Sequence, residues 1–157
     1  MRTPRNADPR VCSLDTALKV VGEKWALLAL REIAFGQHRF DDIAFNTGAP
    51  RDILTARLKS LKAAGVVHRR LYQERPARYE YHLAAAGEQL FAVMHALRDW
   101  GDRFTRDDPE NIVTFRHSCG AELQLEIRCA ACGEPIAPGD VTRERDVHRS
   151  DLTCTGG

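Results

Sequence analysis

Apolar positions along the chain fall into several helical stripes and one alternating run. Leu54, Leu58 and Leu61 recur at i, i+4 and i+7, one face of a helix. Pro50 suits the first helical position of that helix, and Gly65 suits the left-handed stop after Ala64. Its opposite face carries Asp52, Thr55, Ala56, Lys59 and Ser60, with no large apolar group to hide. Val66 to Leu71 and Tyr79 to Leu83 then read as two strands joined by Tyr72 to Arg78. Tyr79, Tyr81 and Leu83 alternate with Glu80 and His82, the period of a half-buried strand.

Upstream, Ser13 is placed to cap a helix built on Leu14, Leu18 and Val21 that ends near Gly22. Lys24 to Ile33 is apolar nearly all round, the pattern of a buried helix, and Gly36 closes it. Arg39 and Phe40 open a short helix with Phe40, Ile43 and Ala44 inward and Asp41 and Asp42 in its acidic first turn. Asn46 to Ala49 makes the turn before the Pro50–Ala64 helix. After Leu83, the residues Leu90, Val93, Leu97, Trp100 and Phe104 follow a 3-4-3-4 spacing, a coiled-coil-like seam widened by Phe91 and Met94. Two large aromatics on so wide an apolar face exceed what a small domain can cover, so the seam is expected to be the interface of a homodimer.

Three helices, the last polar on its outer face, followed by a hairpin describe an α+β winged helix-turn-helix. The expected organisation is a flexible arm (1–10), a winged-helix DNA-binding domain with a long C-terminal dimerisation helix (11–104), a small ribbon-like module (112–139) and an extended tail (140–157).

Charge sharpens the picture. Between Arg51 and Arg78 there are eight Lys/Arg against two acidic residues, a net of +6 on a chain whose total is +1. A basic face on a near-neutral protein is the footprint of phosphate contacts. Residues 84–157 hold eight basic and thirteen acidic residues, which argues against a second DNA-binding surface there. The overall balance, 43% hydrophobic and 29% charged, is that of a globular chain. No apolar run approaches the roughly 18 residues of a membrane span, and the N-terminal residues lack the apolar core of a signal peptide; a cytoplasmic protein with no membrane partner is expected. No phosphate loop, nucleophile elbow or HExxH motif occurs, so an enzyme is not expected.

Three of the five cysteines crowd between Cys119 and Cys132. His117 and Cys119 are two apart, on one face of an extended chain, and Cys129 and Cys132 have the spacing of a metal knuckle. With Leu123 to Arg128 as an intervening strand, His117, Cys119, Cys129 and Cys132 compose a closed Cys₃His set of the structural-zinc type. A reversible Cys129–Cys132 disulfide, or a ribbon shape kept without metal, are the alternatives. Cys154, near the Gly-ended terminus, stands apart.

From Cys12 to Gly101 the chain resembles the HxlR-type winged-helix transcriptional regulators, relatives of the MarR group. The resemblance is carried by Cys12 before Leu14-Asp15-Thr16-Ala17-Leu18, by Gly22-Glu23-Lys24-Trp25, and by Arg39-Phe40-Asp41-Asp42-Ile43. It continues in Leu54-Thr55-Ala56-Arg57-Leu58, Leu61-Lys62-Ala63-Ala64-Gly65-Val66-Val67, Pro76-Ala77-Arg78-Tyr79-Glu80-Tyr81-His82-Leu83 and Trp100-Gly101. Two positions depart from the pattern. Glu23 replaces a second glycine, and Ala84 replaces a capping Ser or Thr, a loss of about 1 kcal/mol to the following helix.

The resemblance implies a homodimeric bacterial regulator, a repressor in our reading, that binds double-stranded promoter DNA and answers to a small-molecule or oxidant effector. It places Arg51, Thr55 and Lys59 on the groove side of the recognition helix (about 50–64), Arg39 at a helix start near a phosphate, and Arg75 and Arg78 in the wing (about 66–83). Arg57 borders the apolar stripe and suits a salt bridge. Cys12 stands where some of these regulators carry a redox-sensing cysteine, although a small buried hydrophobe at the dimer contact fits the same position. The competing function is a thiol- or zinc-based redox-responsive protein that uses the winged fold as a protein–protein scaffold.

Overall fold

A computed structural model describes residues 11–144 of the 157-residue chain; the expected arm at 1–10 and Cys154 lie outside the described residues. The described residues group into two compact units, one holding Ala17–Leu125, the other holding residues 11–16 and 126–144. The first contains a mixed α+β winged-helix fold. Its elements are α1 (Ser13–Val21, begun in the preceding residues), α2 (Lys24–Ala34), α3 (Phe40–Thr47), α4 (Arg51–Ala63), β1 (Val67–Gln73), β2 (Arg78–Leu83), α5 (Ala85–Phe104) and a single 3-10 turn at Pro109–Asn111.

The core sits between α2, α3 and α4. Leu54, Leu58 and Leu61 are fully buried from α4 and meet Ala26, Ala29, Leu30 and Ile33 of α2 and Ile43 of α3. Each such leucine contributes about 1.5–3 kcal/mol through burial. Gly48 (φ 69°) and Gly65 (φ 71°) adopt the left-handed conformation that ends α3 and follows α4. Pro50, expected at the first helical turn, instead has extended backbone (φ −56°, ψ 137°) and precedes the helix, which begins at Arg51. Likewise α1 includes Ser13 itself, and the backbone N–H of Thr16 bonds to the carbonyl of Cys12. Asn46 and Thr47 close α3 rather than forming the turn, because the Thr47 hydroxyl donates to the Ile43 carbonyl (2.6 Å) and holds the last helical turn.

β1 and β2 pair antiparallel with Val67 opposite Leu83, His68 opposite His82 and Arg70 opposite Glu80. A register irregularity between Leu71 and Gln73 carries β1 two residues past the expected end at Leu71. The N–H of Tyr81 donates to the His38 carbonyl (2.7 Å), and the His38 Nδ1–H donates back to the Tyr81 carbonyl (2.9 Å). Residues 38–39 thus run along β2 and tie the start of α3 to the hairpin. At the hairpin base, Val66 donates to Leu61 (2.9 Å) and accepts from Ala84 (3.0 Å), fixing the end of α4 to the start of α5. Gly87, on the first turn of α5, comes so near the Val66 carbonyl that a Cβ there would lie inside the 3.0 Å that real Cβ atoms keep.

No helix among the described residues is long and apolar enough to cross a membrane. The expected strand from Leu123 to Arg128 does not form as a ladder. Single bridges at Arg116–Glu122 and Arg128–Pro135 instead close two separate short loops, whose few backbone bonds are used within each loop.

Candidate nucleic-acid interface

α3, the turn at Gly48 and α4 make the helix-turn-helix, with the three leucines facing the core and the polar side of α4 facing outward. Arg51, Thr55 and Lys59 are all exposed. The Thr55 hydroxyl donates to the Arg51 carbonyl (2.7 Å), so its methyl and oxygen are held at the helix surface. Arg51 bonds Asp41 Oδ1 at 2.7 Å and lies over the Phe40 ring at 4.7 Å. Both charges are largely exposed, so the pair orients the guanidinium more than it stabilises the fold; such pairs are worth about 0–1 kcal/mol. Arg57 is half-buried and lies 3.9 Å from Glu23, the salt-bridge role expected for it.

The hairpin presents Arg69, Arg70, Arg75 and Arg78, all exposed. Arg69 stacks on Tyr79 (4.0 Å), and Arg70 bonds Glu80 (3.0 Å) directly across the ladder. Glu80 also faces Arg39 (3.7 Å) and His82 (3.4 Å), and Arg39 lies over Tyr72 (4.7 Å). Hydrogen bonding from Arg70 holds the Glu80 carboxyl below its ordinary value despite partial burial. His82 stacks between His38 (4.2 Å) and His68 (5.6 Å), and burial, then His38 and Arg70, push its imidazole below the usual range. Glu80 therefore gathers Arg39 and Arg70. Arg39 and Arg51 are legible in the sequence as candidates, but Glu80 and Asp41 as their organisers are not. The signal was the opposite charge of Arg70 and Glu80, usable only once the strand register is known.

On α5 the expected seam divides. Leu90 and Met94 pack on the core, while Val93, Leu97, Trp100 and Phe104 are exposed, Phe104 to 70%. Trp100 and Phe104 touch ring to ring at 5.9 Å. Leu14 and Leu18 of α1, at 65% and 52%, are exposed as well.

The cysteine loops have ordered local geometry. In the first, His117 N–H donates to Ala121 and Gly120 N–H to His117 (2.9 Å each). The thiol of Cys119 is pushed down by the Ala121 N–H and then by His117. In the second, Gly133 N–H donates to Cys129 (2.8 Å), and the N–H groups of Cys132 and Ala131 push the Cys129 thiol down. Cys119, Cys129 and Cys132 are free thiols, as is the exposed Cys12. Among the described residues, no group of three or more His, Cys, Asp or Glu side chains is gathered around a metal position.

The family model described as HxlR-like helix-turn-helix matches residues 20–109. This chain belongs to the HxlR-like helix-turn-helix family. Relatives concur. It is 41% identical over 133 residues to an HTH-type transcriptional regulator of Mycobacterium tuberculosis, covering 84% of each chain. It is 33% identical over 100 residues to one of Methanothermobacter thermautotrophicus, covering 62% of this chain and 75% of that one. Among solved structures, PA1607, described as a candidate transcription factor, superposes with a TM-score of 0.76 at 31% identity, covering 86% of this chain and 95% of that one. The redox regulator HypR in its reduced form gives 0.56 at 28% identity, over 64% and 100%. As an HxlR-family protein, the chain is a DNA-binding transcriptional regulator of the helix-turn-helix class, and its relatives are regulators rather than enzymes.

Proposed function

We propose that this HxlR-family chain acts as a homodimeric, sequence-specific transcriptional repressor, with α4 in the major groove and the β1–β2 wing on the backbone. One observation carries the reading. Arg51, Thr55 and Lys59 stand exposed on the side of α4 opposite three fully buried leucines, beside a hairpin with four exposed arginines. Arg51 and Thr55 suit base edges; Lys59, Arg39, Arg75 and Arg78 suit phosphates. The exposed Val93, Leu97, Trp100 and Phe104 suit a partner's identical face, which would set two reading helices about 34 Å apart. The test is fluorescence anisotropy against the duplex upstream of its own gene and a scrambled duplex, across a salt series. Preference for the upstream duplex by about 10³-fold or more, lost in Arg51→Ala with Lys59→Ala, is expected. Equal affinity for both duplexes with a steep salt slope would leave only a basic patch.

Cys119, Cys129 and Cys132 are proposed as zinc ligands with His117, supported by the N–H groups that stabilise the thiolates of Cys119 and Cys129. Elemental analysis showing one zinc per chain, lost in Cys129→Ser, is the expected result; metal-free, folded protein purified without chelator would remove the reading. An oxidant-responsive role for Cys12 draws on its exposed, free thiol and on the likeness to HypR, solved both reduced and oxidised. Diamide should release DNA from the native protein and leave Cys12→Ser bound; release from both excludes Cys12.

A further inference from the structure

Between α2 and α5 lies a cavity of about 260 Å³, bordered at one side by Leu97 of the proposed seam. Leu27, Leu28, Phe35, Phe91, Met94 and Phe115 give it apolar walls, and His95, Arg31 and Arg98 supply its polar groups. The rings are arranged as an aromatic box. Phe35 stacks on Phe115 at 5.5 Å, and Phe91 and Phe115 each meet His95 edge-on, at 4.5 and 5.1 Å. Arg98 lies over the Phe115 ring at 4.5 Å.

The polar wall is unfinished. His95 is only 5% exposed, yet its Nδ1 has no hydrogen-bond partner, and neither does the buried Nη1 of Arg98 one turn further along α5. Leaving such groups buried and unpaired is unfavourable, so a partner that completes them is favoured. Burial, then Arg98, holds the His95 imidazole below its ordinary value, so it is neutral near pH 7.

We propose that this cavity binds a neutral, flat aromatic compound of one or two rings carrying a phenolic hydroxyl. Size sets the rings. A cavity of about 150 Å³ holds one benzene, so the larger volume takes up to two fused rings. The missing partners set the hydroxyl. Its oxygen accepts from Arg98, and it either donates to a bare His95 Nδ1 or accepts from a protonated one, so it serves both tautomers. A carbonyl or carboxylate serves only one of them. Charge excludes the carboxylate further: Arg98 already faces Asp99 (2.5 Å) and Asp102 (3.6 Å), and Arg31 faces Glu32 (2.6 Å). The cationic groups here are already matched, and a further anion would find no surplus positive charge.

α2 also packs on α4, so an occupant pressing on α2 acts on the helix proposed to read DNA. This coupling to α4 rests on the proposed regulator function; the site itself does not. The test is isothermal titration of the full chain, without DNA, with 2-naphthol and with 2-naphthoate as probes. The expected result is one 2-naphthol per chain at submillimolar affinity, with 2-naphthoate weaker by about tenfold or more. Leu28→Trp, which fills the cavity, is expected to abolish the heat while keeping the helical circular dichroism of the native chain. No saturable heat with native protein, equal affinity for the two probes, or undiminished binding by folded Leu28→Trp would each overturn the proposal. The probe comparison uses the native chain only, so it decides the matter even if the Trp variant does not fold.

Discussion

Substituting Gly87 by alanine tests how tightly the long helix is locked to the wing. A Cβ at this position would be driven into the Val66 carbonyl oxygen, with Leu83 Cδ2 a further 3.2 Å neighbour. The oxygen cannot retreat freely. Val66 accepts from Ala84 at 3.0 Å and donates to Leu61 at 2.9 Å, so shifting it strains both bonds. Overpacking of this kind costs about 1–3 kcal/mol, and weakening one of those hydrogen bonds adds about 0.5–1.5 kcal/mol. Alanine's better helix propensity returns about 1 kcal/mol. The net is a destabilisation of about 1–3 kcal/mol, a fall in melting midpoint of roughly 3–10 °C. Urea and thermal unfolding followed by circular dichroism measure it. A Gly87→Ala protein as stable as the native chain, or more so, would show that α5 can slide away from the hairpin base, and the lock would be refuted.

The other predictions concern association and pH. Leu97→Asp and Trp100→Asp should yield monomers in light scattering coupled to gel filtration, since each places a charge in the exposed seam; an unchanged mass with both substitutions would move the interface elsewhere. His95 titrates below the ordinary 6.5 of an unfolded chain because burial and Arg98 disfavour its protonation. The unfolded state therefore takes up the proton first as pH falls. Stability should be complete above about pH 6.5 and decline as the pH drops through the lower folded value. His82 adds a decline of the same sign. His95→Phe should flatten part of the pH dependence of the urea midpoint between pH 7.5 and 5.5; an identical profile would mean that His95 is not the group responsible.

Much of the fold was legible because one period dominates each segment. Leu54, Leu58 and Leu61 have a single task, so their spacing revealed the helix, its buried side and hence the polar side that carries Arg51, Thr55 and Lys59. The α5 pattern was less transparent. Leu90 and Met94 serve the chain's own core while Val93, Leu97, Trp100 and Phe104 point outward, and periodicity alone does not separate two apolar faces on one helix. On β2, Glu80 and His82 are as half-buried as Tyr79 and Tyr81, because Arg39, Arg70 and two histidines pack over the supposedly open face. The aromatic box was hidden for a different reason. Phe35, Phe91 and Phe115 are far apart in sequence, and only tertiary packing brings their rings together.

The two-stranded hairpin has one further consequence. β2 is flanked by β1 on one side and by residues 38–39 on the other, but β1 has no ladder partner on its outer side among the described residues. A strand with one row of unpaired amides is a template on which a second copy can extend the sheet, the first step toward aggregation. Arg69 and Arg70 lie along that open edge, and their like charges repel an approaching copy. Solubility thus places a demand of its own on these two positions, and neutral residues there would expose the wing to edge-to-edge stacking.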